Sequence, residues 1–281
     1  MKRAVFLLLL ILVVFFLFQT GCEKRTVRPR ETDWDAVKAI ISQYPDIFRL
    51  GFFDTKPDTL FFREITESNA DIEEGWLVEE DSLHPGLLIP YITLTWGDSL
   101  KGKFHYHLNG KWYEKPVYSI ALTKAYFEQW GDIYDPHRGW LLKQFGGTVI
   151  NSVGTTRNPS VLTIVSDGVN ATLSEETLRQ LVKKDSTLVF GMGKQVTFII
   201  EPSSDTSDFF FLHVKEGEAY QKIPFISNGD GTFSTSWTTT DDPDPAKRYY
   251  HAIVDVVSQQ SVTDTTAEYD SKAWGIIYRI K

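Results

Sequence analysis

The chain of 281 residues contains a single cysteine, Cys22. An intramolecular disulfide is therefore excluded. A lone cysteine is also unusual for an exported protein, since such proteins normally carry cysteines in pairs or omit them. The sequence also lacks a G-x-S-x-G motif, and the run Gly191-Met192-Gly193-Lys194 is too short for a phosphate-binding loop. Serine-nucleophile and P-loop chemistry are left without support, and no catalytic residue or cofactor is predicted.

Positive charge is also scarce. The chain has 29 Lys and Arg against 37 Asp and Glu, a formal net charge of −8. An acidic chain without a basic stripe argues against nucleic acid as a partner. It also repels the folded body from anionic lipid, so any membrane attachment has to come from another source.

Long apolar runs are confined to the amino terminus. Met1-Lys2-Arg3 is basic, and Ala4 to Phe18 is an unbroken apolar run of 15 residues. A helix that spans a bilayer needs about 20 apolar residues. The run therefore predicts a cleaved signal peptide over residues 1–21. Ordinary secretion and an uncleaved amino-terminal anchor with an incidental cysteine are the alternatives.

The residues Thr20-Gly21-Cys22 after this run resemble the lipobox of bacterial lipoproteins, although Gln19 stands where that family usually has Leu. The resemblance implies cleavage before Cys22 and attachment of diacylglyceryl and acyl chains, such as palmitate, to that residue. Two or three such chains hold a protein on a membrane almost permanently. The charged, Pro-containing residues 22–32 are predicted to be a flexible tether.

The same resemblance implies a place in the bacterial cell envelope. Glu23 follows the cysteine, and some bacteria retain lipoproteins at the inner membrane through an Asp at that position. The outer membrane is therefore favoured. The expected partners are the membrane itself, through the lipid, and a protein or glycan of the envelope.

The fold class predicted from the aromatic-rich composition and the period-two pattern is mainly β. Residues 33–184 are predicted to form an α+β domain with one helix, Thr32–Tyr44 ended by Pro45, and a curved antiparallel sheet. Asn109-Gly110 is a strong hairpin signal. The strand candidates are Leu60–Thr66, Trp76–Glu80, Leu87–Trp96, Leu100–Leu108, Lys111–Phe127 (broken near Pro116) and Trp140–Ile150. The pattern faintly resembles the NTF2-like cone.

A second helix is predicted over Ser174–Lys184, followed by a domain boundary. Residues 185–281 are predicted to form a β-sandwich of seven short strands. The turn Asn228–Gly231 and the run Tyr250–Val254 resemble features of bacterial Ig-like and fibronectin-III-like domains. That resemblance implies a tyrosine corner, in which Tyr250 bonds backbone upstream near Asp242–Ala246.

The best metal candidates are His105 and His107. Alternate residues of a strand share a face, so both imidazoles could reach one ion. His84, His137 or Glu114 could supply a third ligand, and no spacing singles one out. The alternative is that both histidines lie on a solvent-exposed strand face.

The function expected from these features is that of a non-enzymatic binding or interaction module carried by a lipid anchor. Its basis is Cys22, the sandwich pattern and the missing catalytic constellation. Two alternatives stay open. One is an envelope hydrolase with a metal or ligand site in residues 33–184, and the other is a structural component of the envelope.

Overall fold

A computed structural model describes residues 26–27, 31–50, 53–54, 60–78, 89–202, 207–216, 219–240 and 249–281. The protein is mainly β, with 61% of residues in strands and 14% in helices, as predicted. The four helices of the described residues are α1 (Glu31–Ser42), α2 (Pro45–Phe48), α3 (Glu175–Leu178) and α4 (Gln259–Thr263). The predicted first helix is confirmed, and Pro45 begins the next short helix.

The first half contributes the longest strands, which are β1 (Thr26–Val27), β2 (Phe61–Val78), β3 (Tyr91–Leu108), β4 (Lys111–Gln129) and β5 (Trp140–Ser152). Shorter strands follow: β6 (Pro159–Ser166), β7 (Val169–Leu173), β8 (Val182–Lys183), β9 (Leu188–Phe190), β10 (Gln195–Pro202), β11 (Phe209–Glu216) and β12 (Ala219–Pro224). The last are β13 (Ile226–Ser227), β14 (Phe233–Thr238), β15 (Tyr250–Val257) and β16 (Ser271–Ile280).

These strands form two sheets. The large sheet has the order β1-β2-β3-β4-β5-β16-β15-β11-β12, with β8 added beside β5 and β9 beside β16. The small sheet has the order β13-β14-β10-β6-β7. All pairings are antiparallel except β9 with β16. The large sheet curls strongly, because Phe61 on β2 lies 5.2 Å, ring to ring, from Phe211 on β11.

The inner face of the curled sheet is filled by the helical amino-terminal segment. Val37 and Ile41 of α1 and Phe48 of α2 are buried against strand residues such as Ile92 and Phe127. The apolar side chains of α1 recur at helical spacing, so one face of the helix is buried. The helices therefore serve as the plug of the curl.

The small sheet packs on the outer face of the large sheet around β15. Ala252, Val254 and Val256 of β15 face the core shared with the small sheet, and Ile253 and Val257 face the inside of the curl. Every residue of β15 is buried. A strand buried on both faces reads as a continuous apolar run rather than an alternating one.

The structure does not confirm a division between residues 184 and 185. Thr148–Asn151 of β5 pair with Lys272–Gly275 of β16, so one sheet crosses the expected boundary. The core of the sandwich also contains Val149, Leu162 and Leu178 from the first half. The strands of an Ig-like module were expected from residues 185–281 alone, whereas β6 and β7 complete the small sheet.

The strands of the first half are longer and fewer than predicted. The hairpin at Asn109-Gly110 is confirmed, with φ of 51° and 79° at the two residues. The separation of Leu87–Trp96 from Leu100–Leu108 by a turn at Gly97-Asp98, which the composition of that dipeptide predicts, is wrong, because both residues lie inside β3. β2 has a bulge opposite this point, and the Glu73 side chain occupies the space that a Cβ at Gly97 would fill.

The predicted break of β4 near Pro116 is also wrong, since the strand runs from Lys111 to Gln129. Pairing of β4 with β5 begins only at Ser119. Pro116 therefore lies where β4 pairs with β3 alone, and proline is tolerated at such edge positions. The missing N–H removes no bond to β5 there.

The free edge of β2 is acidic and irregular. Register shifts occur between Ile65 and Glu67 and between Ile72 and Glu74. The stretch from Glu64 to Glu74 carries five carboxylates. Bulges and charge are two of the ways in which proteins prevent edge-to-edge pairing. Within the expected tether, Thr26 and Val27 pair with Val78 and Leu77 and cover one end of this edge.

The helix expected over Ser174–Lys184 is shorter than predicted. Ser174 caps α3 as expected, but the helix ends at Leu178. Val182 and Lys183 pair instead with β5. The seven strands predicted after the boundary correspond to β9 to β12 and β14 to β16, each within one residue of its predicted ends. The predicted ranges are Thr187–Phe190, Gln195–Glu201, Phe209–Lys215, Tyr220–Phe225, Thr232–Thr239, Tyr249–Ser258 and Lys272–Ile280. The upstream partner expected for Tyr250 lies outside the described residues, and so does Cys22.

Within the described ranges, none of the helices is both long and apolar enough to cross a bilayer.

The shared core predicts cooperative unfolding. The full chain is expected to unfold in guanidinium chloride with one transition, seen at the same midpoint by far-UV circular dichroism and tryptophan fluorescence. A fragment that ends at Lys184 is expected to lack a cooperative transition, because it loses the strands that cover Val149 and Leu162. Two separated transitions in the full chain would contradict the shared core.

Candidate functional site

The two histidines predicted as metal ligands lie on the outer face of β3. His105 Nε2 lies 2.9 Å from Glu64 Oε2, and its ring stacks on Phe62 at 4.6 Å. His107 makes an edge contact with Trp112 at 5.4 Å. The His105 ring therefore contacts side chains of β2, and the His107 ring contacts a side chain of β4.

The suggested third ligands are dispersed. His137 hydrogen-bonds the side chain of Gln43 at 2.8 Å, and Glu114 bonds the Lys103 ammonium at 3.0 Å. His84 lies outside the described residues. Across the residues with described positions, no group of three or more His, Cys, Asp or Glu is arranged to hold a metal ion. Metal binding by His105 and His107 stays a prediction.

The densest cluster of charge lies inside the curl and centres on Arg63 of β2. The guanidinium donates to Asp54 Oδ2 at 2.9 Å and to Asp255 Oδ2 at 2.9 Å. Its Nε donates to the Tyr269 hydroxyl at 2.7 Å. Lys222 reaches the other oxygen of Asp54 at 3.1 Å. The cluster joins β2, β12, β15 and the segment after α2.

Electrostatic interactions favour the charged forms of Arg63 and Asp255. Burial raises the pKa of Asp255, but the Arg63 guanidinium and a hydrogen bond with His213 outweigh it and hold that pKa at about 2. Burial alone would lower the pKa of Arg63, and the surrounding Asp255, Tyr269 and Asp54 raise it instead. At Asp54 burial prevails over Arg63 and raises the pKa.

The cluster around Arg63 is closed to solvent, and this determines its role. Arg63 is 2% exposed and Asp255 is 0% exposed. Removing one partner of such a buried pair typically costs about 3–5 kcal/mol, because the other charge is left uncompensated. The cluster therefore holds the curl together and offers no surface to a ligand.

A cleft of about 680 Å³ opens on the outer face of the large sheet, where the small sheet does not cover it. Its floor comes from three adjacent strands and consists of Glu74, Trp76, Thr93, Thr95 and Lys124. Trp76 lies directly opposite Thr93, and Thr95 lies opposite both Glu74 and Lys124. The indole is 41% exposed, so the cleft has an accessible aromatic floor.

The wall of the cleft is the segment that follows Ser174. It contributes Glu175, Glu176, Arg179, Gln180 and Leu181. Leu178, on the same segment, is buried in the core of the sandwich. Glu175 of α3 also forms an ion pair of 2.5 Å with Lys272 of β16. The wall is therefore anchored to the two strands that join the halves of the protein.

Gly146 of β5 allows the wall to lie so close to the sheet. A Cβ at this position would approach the carbonyl oxygen of Arg179 to 2.9 Å and that of Gln180 to 3.3 Å. A glycine within a strand often marks such a close approach of another backbone. The next pairing, Gln144 with Lys183, fixes the direction of the segment. The cleft is thus a preformed feature of the fold.

Charges around the cleft are nearly balanced. Lys124 and Arg179 supply two cations. Of the three carboxylates that line the cleft, Glu175 is paired with Lys272 at 2.5 Å and with Arg179 at 3.9 Å. Glu74 and Glu176 balance the charges of Lys124 and Arg179. The cleft thus combines an aromatic ring with a few polar and charged groups, and such groups fix the orientation of a ligand.

Comparison with known proteins gives no relative: no family model matches the chain, and no curated protein matches it. The sequence does not predict the cleft itself, although Trp76 is one of seven tryptophans that could line a sugar or peptide groove, most of which are expected in the core. The one signal for its wall is the pair Gly146-Gly147 within a strand pattern.

The buried cluster predicts a specific pH dependence. Asp255→Asn is expected to lower the free energy of unfolding at pH 7 by about 3–5 kcal/mol. The folded pKa of Asp255, about 2, lies below the unfolded value of about 3.9, so its ionisation stabilises the protein above pH 4. The difference between wild type and variant is expected to shrink by about 2–3 kcal/mol from pH 5 to pH 2.

Denaturant unfolding measured over that range checks this expectation. Asp167→Asn is the matched control, because the Asp167 side chain is 73% exposed and pairs only with Lys194 at the surface. It is expected to change stability by less than about 1 kcal/mol. A difference between wild type and Asp255→Asn that stays constant down to pH 2 would show that Asp255 is not a buried, paired carboxylate.

Proposed function

We propose that this protein is a lipid-anchored lipoprotein of the bacterial cell envelope that binds a ligand in the outer-face cleft without transforming it. The observation that carries the proposal is the preformed cleft of about 680 Å³ with Trp76 exposed on its floor. Cavities of about 300–1,000 Å³ with a few convergent polar groups are the usual sites for small ligands.

The geometry of the cleft favours binding over catalysis. Catalytic acids and bases usually have pKa values displaced towards their task by burial or by a paired charge. The groups with strongly displaced pKa values, Arg63, Asp255, His251 and Tyr220, do not line the cleft. The cleft offers donors, acceptors and a ring, which is what recognition requires.

The lipid anchor rests on the sequence around Cys22. An acidic body is repelled by anionic headgroups, and acyl chains on the cysteine supply the attachment that the body lacks. Together the anchor and the cleft describe a receptor-like module held at a membrane, and the outer membrane is the favoured one.

Binding in the cleft is testable with small probes. In saturation-transfer NMR of the full chain with a library of polar and aromatic fragments, we expect a set of fragments that compete with one another. Gly146→Val is expected to weaken their binding at least about tenfold, because the added side chain displaces the Arg179 and Gln180 backbone.

Gly191→Ala is the matched control. A Cβ at Gly191 approaches only the flexible Lys194 side chain, so fragment binding is expected to be unchanged. Thermal unfolding of both variants verifies that they fold. Absence of any competing fragments, or equal binding to both variants, would show that the cleft is not a binding site.

Lipid attachment is tested at Cys22. Cells that express the chain and are fed an alkyne-labelled palmitate are expected to incorporate the label into the protein, and Cys22→Ser is expected to abolish incorporation. In cell fractionation, a smaller share of Cys22→Ser than of the wild type is expected in the membrane fraction. Thr20→Ser serves as a control with the cysteine retained. Equal labelling of the wild type and Cys22→Ser would contradict the anchor.

A further inference from the structure

We propose that the ligand of the cleft is an uncharged carbohydrate, one sugar ring of which stacks on Trp76. This inference rests on the proposed binding function and names the chemical class that the floor, wall and charges of the cleft fit together. Three independent properties of the cleft point to the same class.

The first property is the aromatic floor. Trp76 is 41% exposed and lies near the end of β2, where it is paired with Thr93 of β3. An indole fixed on a sheet is a flat apolar surface with a negative face. The C–H groups on one side of a pyranose ring form a matching flat surface that carries partial positive charge. A sugar therefore covers this ring without leaving a polar group unsatisfied.

The second property is the set of polar side chains that line the cleft together with the indole. Thr93 and Thr95 belong to its floor, and Gln180 belongs to its wall. These groups both donate and accept hydrogen bonds. The equatorial hydroxyls of a sugar need both roles at its rim, whereas an aliphatic ligand would leave these groups without partners.

The third property is the charge balance. The cleft is lined by Lys124 and Arg179 and by Glu74, Glu175 and Glu176, and Glu175 is paired with Lys272 at 2.5 Å and with Arg179 at 3.9 Å. An anionic ligand would meet Glu74 and Glu176, and a cationic ligand would meet Lys124 and Arg179. A like charge at close range costs binding energy, so this arrangement selects a neutral ligand over charged ones.

The geometry also separates this tryptophan from the other exposed ones. Trp112 is 50% exposed at the hairpin end of the outer face, where it contacts His107. It does not belong to the lining of the cleft. Trp112 is therefore a matched control for a stacking residue, because it is equally accessible and shares the same sheet.

Isothermal titration of the full chain in detergent micelles tests the inference. The probes are neutral tetrasaccharides of glucose and of N-acetylglucosamine in α and β linkage, with tetragalacturonate and the deacetylated glucosamine tetramer as charged counterparts. At least one neutral tetrasaccharide is expected to bind with a Kd of about 1 mM or lower. The charged counterparts are expected to bind at least about tenfold more weakly.

Variants identify the site of binding. Trp76→Ala is expected to weaken the neutral tetrasaccharide at least about tenfold, Trp76→Phe to restore part of the affinity, and Trp112→Ala to leave it unchanged. Gln180→Ala, at an exposed position of the wall, gives a second reading if Trp76→Ala unfolds the protein. Unchanged affinity in both Trp76→Ala and Gln180→Ala would overturn the inference.

The outcomes also separate this inference from the function on which it rests. Fragment binding that Gly146→Val abolishes, with no binding of any neutral tetrasaccharide, overturns the carbohydrate and leaves the binding function standing. Preference for either charged tetramer likewise overturns the neutral class alone. Absence of both fragment and saccharide binding overturns the two together.

Discussion

Four residue pairs between β5 and β16 connect the strands of the first half of the protein to those of the second half. Thr148–Asn151 and Gly275–Lys272 form the ladder that turns two sets of strands into one sheet. The helical plug lies on one side of this ladder and the small sheet on the other. The wall of the cleft is attached to the same two strands, through the pairing of Lys183 of β8 with Gln144 of β5 and the ion pair of Glu175 with Lys272 of β16. The shape of the cleft therefore depends on the pairing that unites the core.

The local sequence pattern predicts the strands of the second half well. It does not predict which strands pair with one another in the two sheets. Each strand carries its own alternation and turn residues, so its ends could be read from neighbouring residues. Which strand lies beside which depends on contacts across more than a hundred residues, as between Val149 and Trp274. The boundary expected after residue 184 followed from the order of the elements alone, and the sheet crosses it.

The long strands of the first half illustrate a different limit. Gly97-Asp98 has the composition of a turn, but in the fold Gly97 faces a bulge of β2 and Asp98 accepts a hydrogen bond of 2.6 Å from Ser68. The local signal was outweighed by a tertiary contact. The cleft was hidden for the same reason, since Trp76 and Gln180 are brought together by the sheet. The alternation did place His105 and His107 on one face, which is the outer one.

The acidic edge of β2 has a further consequence under the proposed lipid anchor. Tethering confines copies to a surface and aligns them, so encounters between identical edges become far more frequent than in free solution. A flat, uncharged edge strand of 18 residues would then pair edge to edge with the same strand of neighbouring copies and form extended sheets. Two kinks and five like charges make each copy a poor template for the next. Under the proposed anchor, such an edge disfavours ordered contact between neighbouring copies and leaves the outer-face cleft accessible.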